Sequence, residues 1–330
     1  MAHAITVRKN GQAEMAYVGE KPWTSLGNEL QRGATIEQWQ TAAGMDWRIE
    51  RSKVRYAIDA RGLPSDFRSV DDLHVFMRSD TKDFLGTGSD KFKLVQPKAV
   101  LEFFRDLVAE AGYELETAGT LFGGRKFWAQ ASMNMQDCVG KGDNVRAKLL
   151  LATACDGTMR TVAKEVVERV VCANTLRMAL DEGGKQRVVS HRSVLDPAQL
   201  KASMGIASKS FHAFIKHARE LTKVQVSRER ADALTLELLD ADGANVELVT
   251  KTRESKTYQS VLRLFDGVAM GSNLPGVHGT AWGWLNAVTE HVDHHYGNAK
   301  TTADTRVDSA WFGPGDKLKT KALELVTVEK

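Results

Sequence analysis

His291 and His295 stand four residues apart in the run His291-Val292-Asp293-His294-His295. On a helix that spacing puts two imidazoles on one face, within reach of a common metal ion. The run departs from the His-Glu-x-x-His pattern of zinc hydrolases, because Val292 occupies the position of the general base. Asp293 lies two residues from each histidine, on another side of the helix, so a third ligand has to come from elsewhere. Nothing in the sequence folds Asp304 or Asp308 back to supply it. The expectation is hydrogen-bonded structural histidines, with no metal and no cofactor; a metal-dependent hydrolase built on His291 and His295 is the alternative. No Ser-His-Asp order or nucleophile elbow is legible. Gly123-Gly124-Arg125-Lys126 lacks the spacing of a phosphate-binding loop.

The second chemistry on offer is polyanion binding. Arg51, Lys53 and Arg55 alternate along a strand-like run, so they share a face, while Val54, Tyr56 and Ile58 point toward a core. Lys91 and Lys93 repeat the pattern around Phe92 and Leu94, and Arg146 and Lys148 repeat it again. If these strands are neighbours, their sheet presents a basic track suited to nucleic-acid phosphates. A long helix, from Asp196-Pro197 to about Lys223, has a packing seam of Leu200, Met204, Ala207, Phe211, Phe214, Ala218 and Leu221. A different face carries Lys209, His212, Lys216, Arg219 and Lys223 without an acidic residue in the stripe. Trp128 follows Arg125 and Lys126, and Trp23 follows Lys21; each combines charge with a flat ring on which a base could stack. A solvated sheet face, an exposed helix face and core tryptophans are the bland readings of the same residues.

These residues need a scaffold. The 330 residues are 42% hydrophobic and 26% charged, the balance of a globular protein with a large core. No apolar run approaches the ~20 residues of a membrane span, and Lys9, Asn10 and Gly11 interrupt any signal-like segment, so a cytoplasmic protein is expected. Cys138, Cys155 and Cys172 are spaced 17 residues apart with no Cys-x-x-Cys pair, which points to buried thiols. The net charge is only +3, but it is uneven. Residues 161–226 carry 11 Lys and Arg against 6 Asp and Glu, whereas residues 227–330 carry 12 against 15.

Thr35 caps a short helix that Gly44 ends, and strand-like runs follow at Trp47–Ile58 and Phe67–Arg78. A strand pair is expected at Phe84–Gly86 and Lys91–Gln96, then a helix from Pro97 to Gly112. Hairpins turn at Gly123-Gly124 and Asp156-Gly157, and a helix is expected from about Arg169. In the second half, Ser227 reads as a cap and residues 240–255 as a polar loop. Helices are expected at Lys256–Met270, Ala281–Tyr296 and Lys317–Thr327. The pattern predicts an α+β protein: an antiparallel sheet with hairpins and packed helices over residues 1–195, and a mainly helical region, 196–330, packed on it.

Four phrases point further. They are the opening Met1-Ala2-His3; Gly19-Glu20-Lys21-Pro22-Trp23 with Leu26-Gly27; the hairpin Thr117–Trp128; and Arg169-Val170-Val171-Cys172-Ala173-Asn174-Thr175-Leu176. Together they resemble the phage/plasmid-like protein family carrying domain of unknown function 932, with Thr24 standing where that resemblance calls for a histidine. The resemblance implies phage or plasmid company and no stated activity. Hairpins followed by a helix are also similar in outline to phage single-strand annealing proteins of the Red-beta and Erf type. The functional expectation is a homo-oligomeric protein that binds or anneals single-stranded DNA, or RNA, without a membrane. A protein that blocks a host defence is a further alternative. Val170, Val171 and Leu176 are expected to be buried, with Asn174 tied to backbone.

Overall fold

The computed structural model describes residues 5–8, 10–19, 26–58, 66–177, 187–190, 207–297 and 303–327; Trp23, Thr24, Leu200 and Met204 lie outside them. The main sheet is eight-stranded. Its strands are β1 (Met15–Val18), β2 (Asn28–Leu30), β6 (Glu114–Leu121), β7 (Lys126–Gly140), β8 (Asp143–Ala154), β9 (Thr161–Arg169), β10 (Asn174–Arg177) and β11 (Arg187–Val189). The order is β10-β9-β8-β7-β6-β1-β2, with β11 also on β9, and every pairing except β1–β2 is antiparallel. A separate sheet has the order β3 (Ile49–Ala57), β4 (Phe67–Arg78), β5 (Phe84–Ser89).

Period two decides what each face of the main sheet carries. Phe127, Ala129 and Ala131 on β7, with Ala147, Leu149 and Leu151 on β8, are buried in the large core. Against that face pack α1 (Ile36–Ala42), α2 (Pro97–Ala111) and α3 (Ala207–Leu221); α4 (Arg228–Leu238), α5 (Val246–Arg253) and α6 (Lys256–Arg263) form a further helical layer, and α7 (Ala281–Glu290) links that layer to β10. Thr35 caps α1 in a capping box with Gln38, and Gly112 ends α2 in the left-handed conformation. The opposite face carries Trp128, Leu150 and Ala152, which pack with Ile5, Met15 and Val307 in a second, smaller core under α8 (Ala303–Phe312). Gly119 stands opposite Trp128, and a Cβ there would sit 2.7 Å from the indole ring, so glycine lets the ring lie down on the sheet. The last helix, α9 (Pro314–Thr327), buries Ala322, Leu323 and Val326 in the large core.

The two sheets are joined by a buried ion pair. Glu14 accepts from Arg78 at 2.7 and 3.0 Å and from the Thr120 hydroxyl at 2.5 Å, while the Arg78 guanidinium lies 4.3 Å from the Trp47 ring.

The α+β class and the helical second half agree with the sequence pattern. Several elements differ. Lys91–Gln96 forms no strand, because Pro97 opens α2 at once and the segment turns to reach it. Arg169 ends β9 rather than starting a helix; Ala173, at φ +52°, turns the chain back so that β10 can cover the edge of β9. The outline analogy with annealing proteins loses its helix there. Helix α5 sits inside the expected loop; Asn245 caps it, but none of its residues is buried, so it has no apolar stripe to read. The helices from Lys256 and Ala281 each close in a π-turn, Leu264–Val268 and His291–His295. Helix α8 was not expected.

Candidate functional site

Arg51, Lys53 and Arg55 are all exposed on β3, but the pairing with β4 shifts register between Lys53, opposite His74, and Arg55, opposite Ser69, so strict alternation runs only from Arg51 to Lys53. The Arg51 guanidinium donates to the backbone carbonyl of Phe92 and lies 5.5 Å from the Phe76 ring, which itself packs at 5.3 Å on Phe92. Lys91 and Lys93 are therefore not on an adjacent strand, but this bond brings the loop that carries them against the row. Beyond that shift Arg55 stands opposite Ser69, and Ala57 stands opposite Phe67, a residue 53% exposed. Among the described residues Lys53, Arg55, Lys91 and Lys93 form no ion pair with a carboxylate. The other face of β3 is not a core: Tyr56 and Ile58 are exposed and Val54 is half-buried, since no layer among the described residues covers the outer half of this sheet.

The remaining expected basic residues do not extend the row. Lys126 is tied to Asp308 at 2.5 Å, and Trp128, only 3% exposed, packs edge-on against Trp311, so its ring is no part of the outer surface that carries the row. On α3, Lys216 is exposed, but Arg219 pairs with Asp137 at 2.7 Å and Lys223 with Glu220 at 2.9 Å. Carboxylates from β7 and from the helix itself thus enter a stripe that looked free of them. The Lys209 side chain is outside the described ones.

Arg146 and Lys148 face the inside of the molecule. Both faces of the central strand β8 are covered, so a period-two pair of cations must meet a second layer and needs anions there. Lys148 Nζ lies 2.6 Å from both Glu116 and Glu168, and Arg146 is 2.9 Å from Glu168, its cross-strand neighbour. This four-membered network is one wall of a cavity of about 440 Å³ between the sheet and α8. Trp128, Gln130, Thr117, Ala310 and Trp311 also line it, and Arg32, paired with Glu114 at 3.3 Å, stands at its exposed side. Four of the wall residues carry a buried polar atom with no hydrogen-bond partner: Thr117 Oγ1, Trp128 Nε1, Gln130 Nε2 and Nε of Arg146, whose guanidinium is otherwise paired with Glu168. A buried orphan of this kind ordinarily costs about 1–3 kcal/mol.

The model of the family described as a domain of unknown function, DUF932, matches residues 84–311, more than half of the sequence. The chain belongs to this family. No curated protein and no solved structure matches it. The DUF932 span holds the network, the orphaned donors and Trp311, while the Arg51–Arg55 row lies ahead of it.

Within the DUF932 span the histidine run is placed by the π-turn. His291 is buried with neither ring nitrogen bonded, and burial pulls its pKa down to about 4. His294 Nε2 meets the Cys172 carbonyl at 2.9 Å and Asn174 Oδ1 at 3.0 Å, and His295 Nε2 is 3.9 Å from Glu290. Burial likewise raises the Glu290 carboxyl. Among the described residues no group of three or more His, Cys, Asp or Glu is placed to hold a metal ion. Burial pushes the Cys155 and Cys172 thiols up to about 12, which leaves them without nucleophilic thiolate at neutral pH; Cys138 is exposed.

The phrase Arg169–Leu176 is a junction between sheet and helices. Arg169 pairs with Asp143 at 2.7 Å and donates to the carbonyls of Met270 and Gly271. Leu176 is buried as expected, but Val171 is 44% exposed on the turn. Asn174 is tied to the side chains of Thr289 and His294 rather than to backbone.

Sequence reasoning missed Glu116, Glu168, Thr117, Gln130 and Trp311 as site residues. One signal was present: Lys148 precedes Leu149-Leu150-Leu151-Ala152, a run apolar at both parities, which marks a strand buried on both sides.

Proposed function

We propose that this DUF932 protein binds single-stranded nucleic acid, DNA in the first instance, through the exposed face of β3, in the phage or plasmid setting that its sequence phrases imply. The observation that carries the reading is the bond from Arg51 to the Phe92 carbonyl, which gathers Arg51, Lys53, Lys91 and Lys93 around one point of the surface. Cations without carboxylate partners are those able to exchange counterions for phosphates. On this surface the rings against which bases stack are Phe67 at the far end of the row and half-buried Phe92 at the near end. From Arg51 to Ala57 the row spans about 20 Å at strand rise, a length of only a few nucleotides. Tight binding therefore calls for several copies along one strand, the homo-oligomer expected from the sequence.

The test is binding of single- and double-stranded DNA and RNA across a salt series, with the free and bound protein sized. Salt-sensitive binding of single strands, independent of added metal, is the expected result. Salt-independent binding, or divalent-dependent turnover of the strand, would replace this reading.

A further inference from the structure

We infer that the cavity between the main sheet and α8 is a binding site for an uncharged, planar heterocycle with carbonyl or ring-nitrogen acceptors, that is, a nucleobase or nucleoside. The inference does not rest on the basic row, which lies on the other sheet.

Three properties of the wall select this chemistry. The first is charge. Lys148 and Arg146 are already matched by Glu116 and Glu168 at 2.6–2.9 Å, so neither sign is left over for an ionic ligand. A phosphate or a free carboxylate would have to break that network in a site where its members are largely shielded from water. The second is hydrogen bonding. Trp128 Nε1 and Gln130 Nε2 are donors without acceptors, and the Thr117 hydroxyl has no partner either. Two such donors side by side on β7 ask for a neutral ligand with acceptor atoms; Gln130 stands opposite Thr117 of β6, and Trp128 lies two residues away on the same face. The third is shape. Trp128 and Trp311 meet at 5.9 Å and 76°, with Ala310 and Val307 beside them, which gives a flat ring apolar surface to rest on. At about 440 Å³ the space is in the range of small-molecule sites.

A free nucleoside and the unpaired base of a strand offer the same edge atoms. The full chain is therefore titrated with adenosine, guanosine, cytidine, uridine and thymidine, following tryptophan fluorescence and calorimetric heat. A bound nucleoside is then challenged with a short oligonucleotide. Saturable binding of at least one nucleoside is expected, with its 5′-monophosphate binding no more tightly. Displacement of the nucleoside by the oligonucleotide identifies a strand's base as the occupant; lack of displacement identifies the free nucleoside.

Two variants separate a site from a structural feature. Gln130→Leu removes an orphaned amide, so its melting temperature should not fall, yet nucleoside affinity should drop by about tenfold, the equivalent of one lost hydrogen bond. Thr117→Val tests the neighbouring wall in the same way. The inference is overturned if no nucleoside binds at millimolar concentration to the folded parent, or if both variants bind as the parent does. Failure of strand binding by the basic row would leave this result untouched.

Discussion

Lys319 and Asp293 form a buried ion pair, Nζ to Oδ1 at 2.7 Å, that fastens α9 to the π-turn after α7 and to strand β10. Lys319 also donates to the Thr175 carbonyl at 2.7 Å, and Asp293 accepts the Thr175 amide at 2.7 Å. The acid in the middle of the histidine run is thus committed to holding the sheet edge.

Breaking that pair from one side should be costly. Lys319→Met leaves Asp293 charged and buried, so a loss of about 3–5 kcal/mol is expected in urea unfolding. The double variant Lys319→Met, Asp293→Leu should recover part of it. A double variant no more stable than the single one would mean that the pair is not what holds α9.

Glutamate at Arg51, Lys53 and Arg55 together should weaken single-strand binding and flatten its salt dependence. Three lost phosphate contacts amount to a change of about 2 in the slope of log K against log salt. Phe67→Ala should cost about 1–3 kcal/mol of affinity, as for a stacked base, with the salt slope kept. Binding isotherms at several salt concentrations check both, and circular dichroism confirms folding.

Leu176→Ala removes a buried side chain beneath the helices and should cost about 2–5 kcal/mol. Val171→Ala, five residues earlier on the exposed turn, should stay within about 0.5 kcal/mol of the parent. Thermal melts of the two variants side by side test this contrast.

His291 gives the fold a pH dependence of known sign. Above pH 7 its ring is neutral whether the chain is folded or not, and it contributes nothing. As pH falls from 6.5 toward 4 the unfolded chain takes up a proton that the folded one refuses, so stability declines by up to about 3 kcal/mol. His295, also lowered, adds in the same sense, whereas raised Glu290 acts in the opposite one. His291→Leu should therefore be less sensitive than the parent over that interval. Unfolding free energies at pH 7, 5.5 and 4.5 for the two proteins decide it.

Strands bounded by glycine turns and helices with apolar stripes were legible, because period two and period 3.6 leave marks in a single sequence. Helix α5 left none, since it buries nothing, and β10 was hidden by a turn that depends on left-handed Ala173, a conformation with no reliable signal outside glycine and asparagine. The basic residues were legible as types but not as partners. Lys126 meets Asp308 and Lys164 meets Asp316, pairings across more than 150 residues that no local spacing encodes. The cavity was invisible for the same reason: its walls come from β6, β7, β8, β9 and α8, which only the tertiary fold assembles.

Strand β3 is the outermost of its sheet among the described residues, none of which pairs as a strand along its free side. Such an edge invites a second copy to pair with it and continue the sheet. If two copies of β3 met in this way, Arg51, Lys53 and Arg55 of one would lie alongside the same cations of the other, and like charges on neighbouring strands repel. The row therefore guards the protein against sheet-to-sheet aggregation. Substituting its cations with alanine removes that guard, and the first symptom should be loss of solubility, before any change in affinity can be measured.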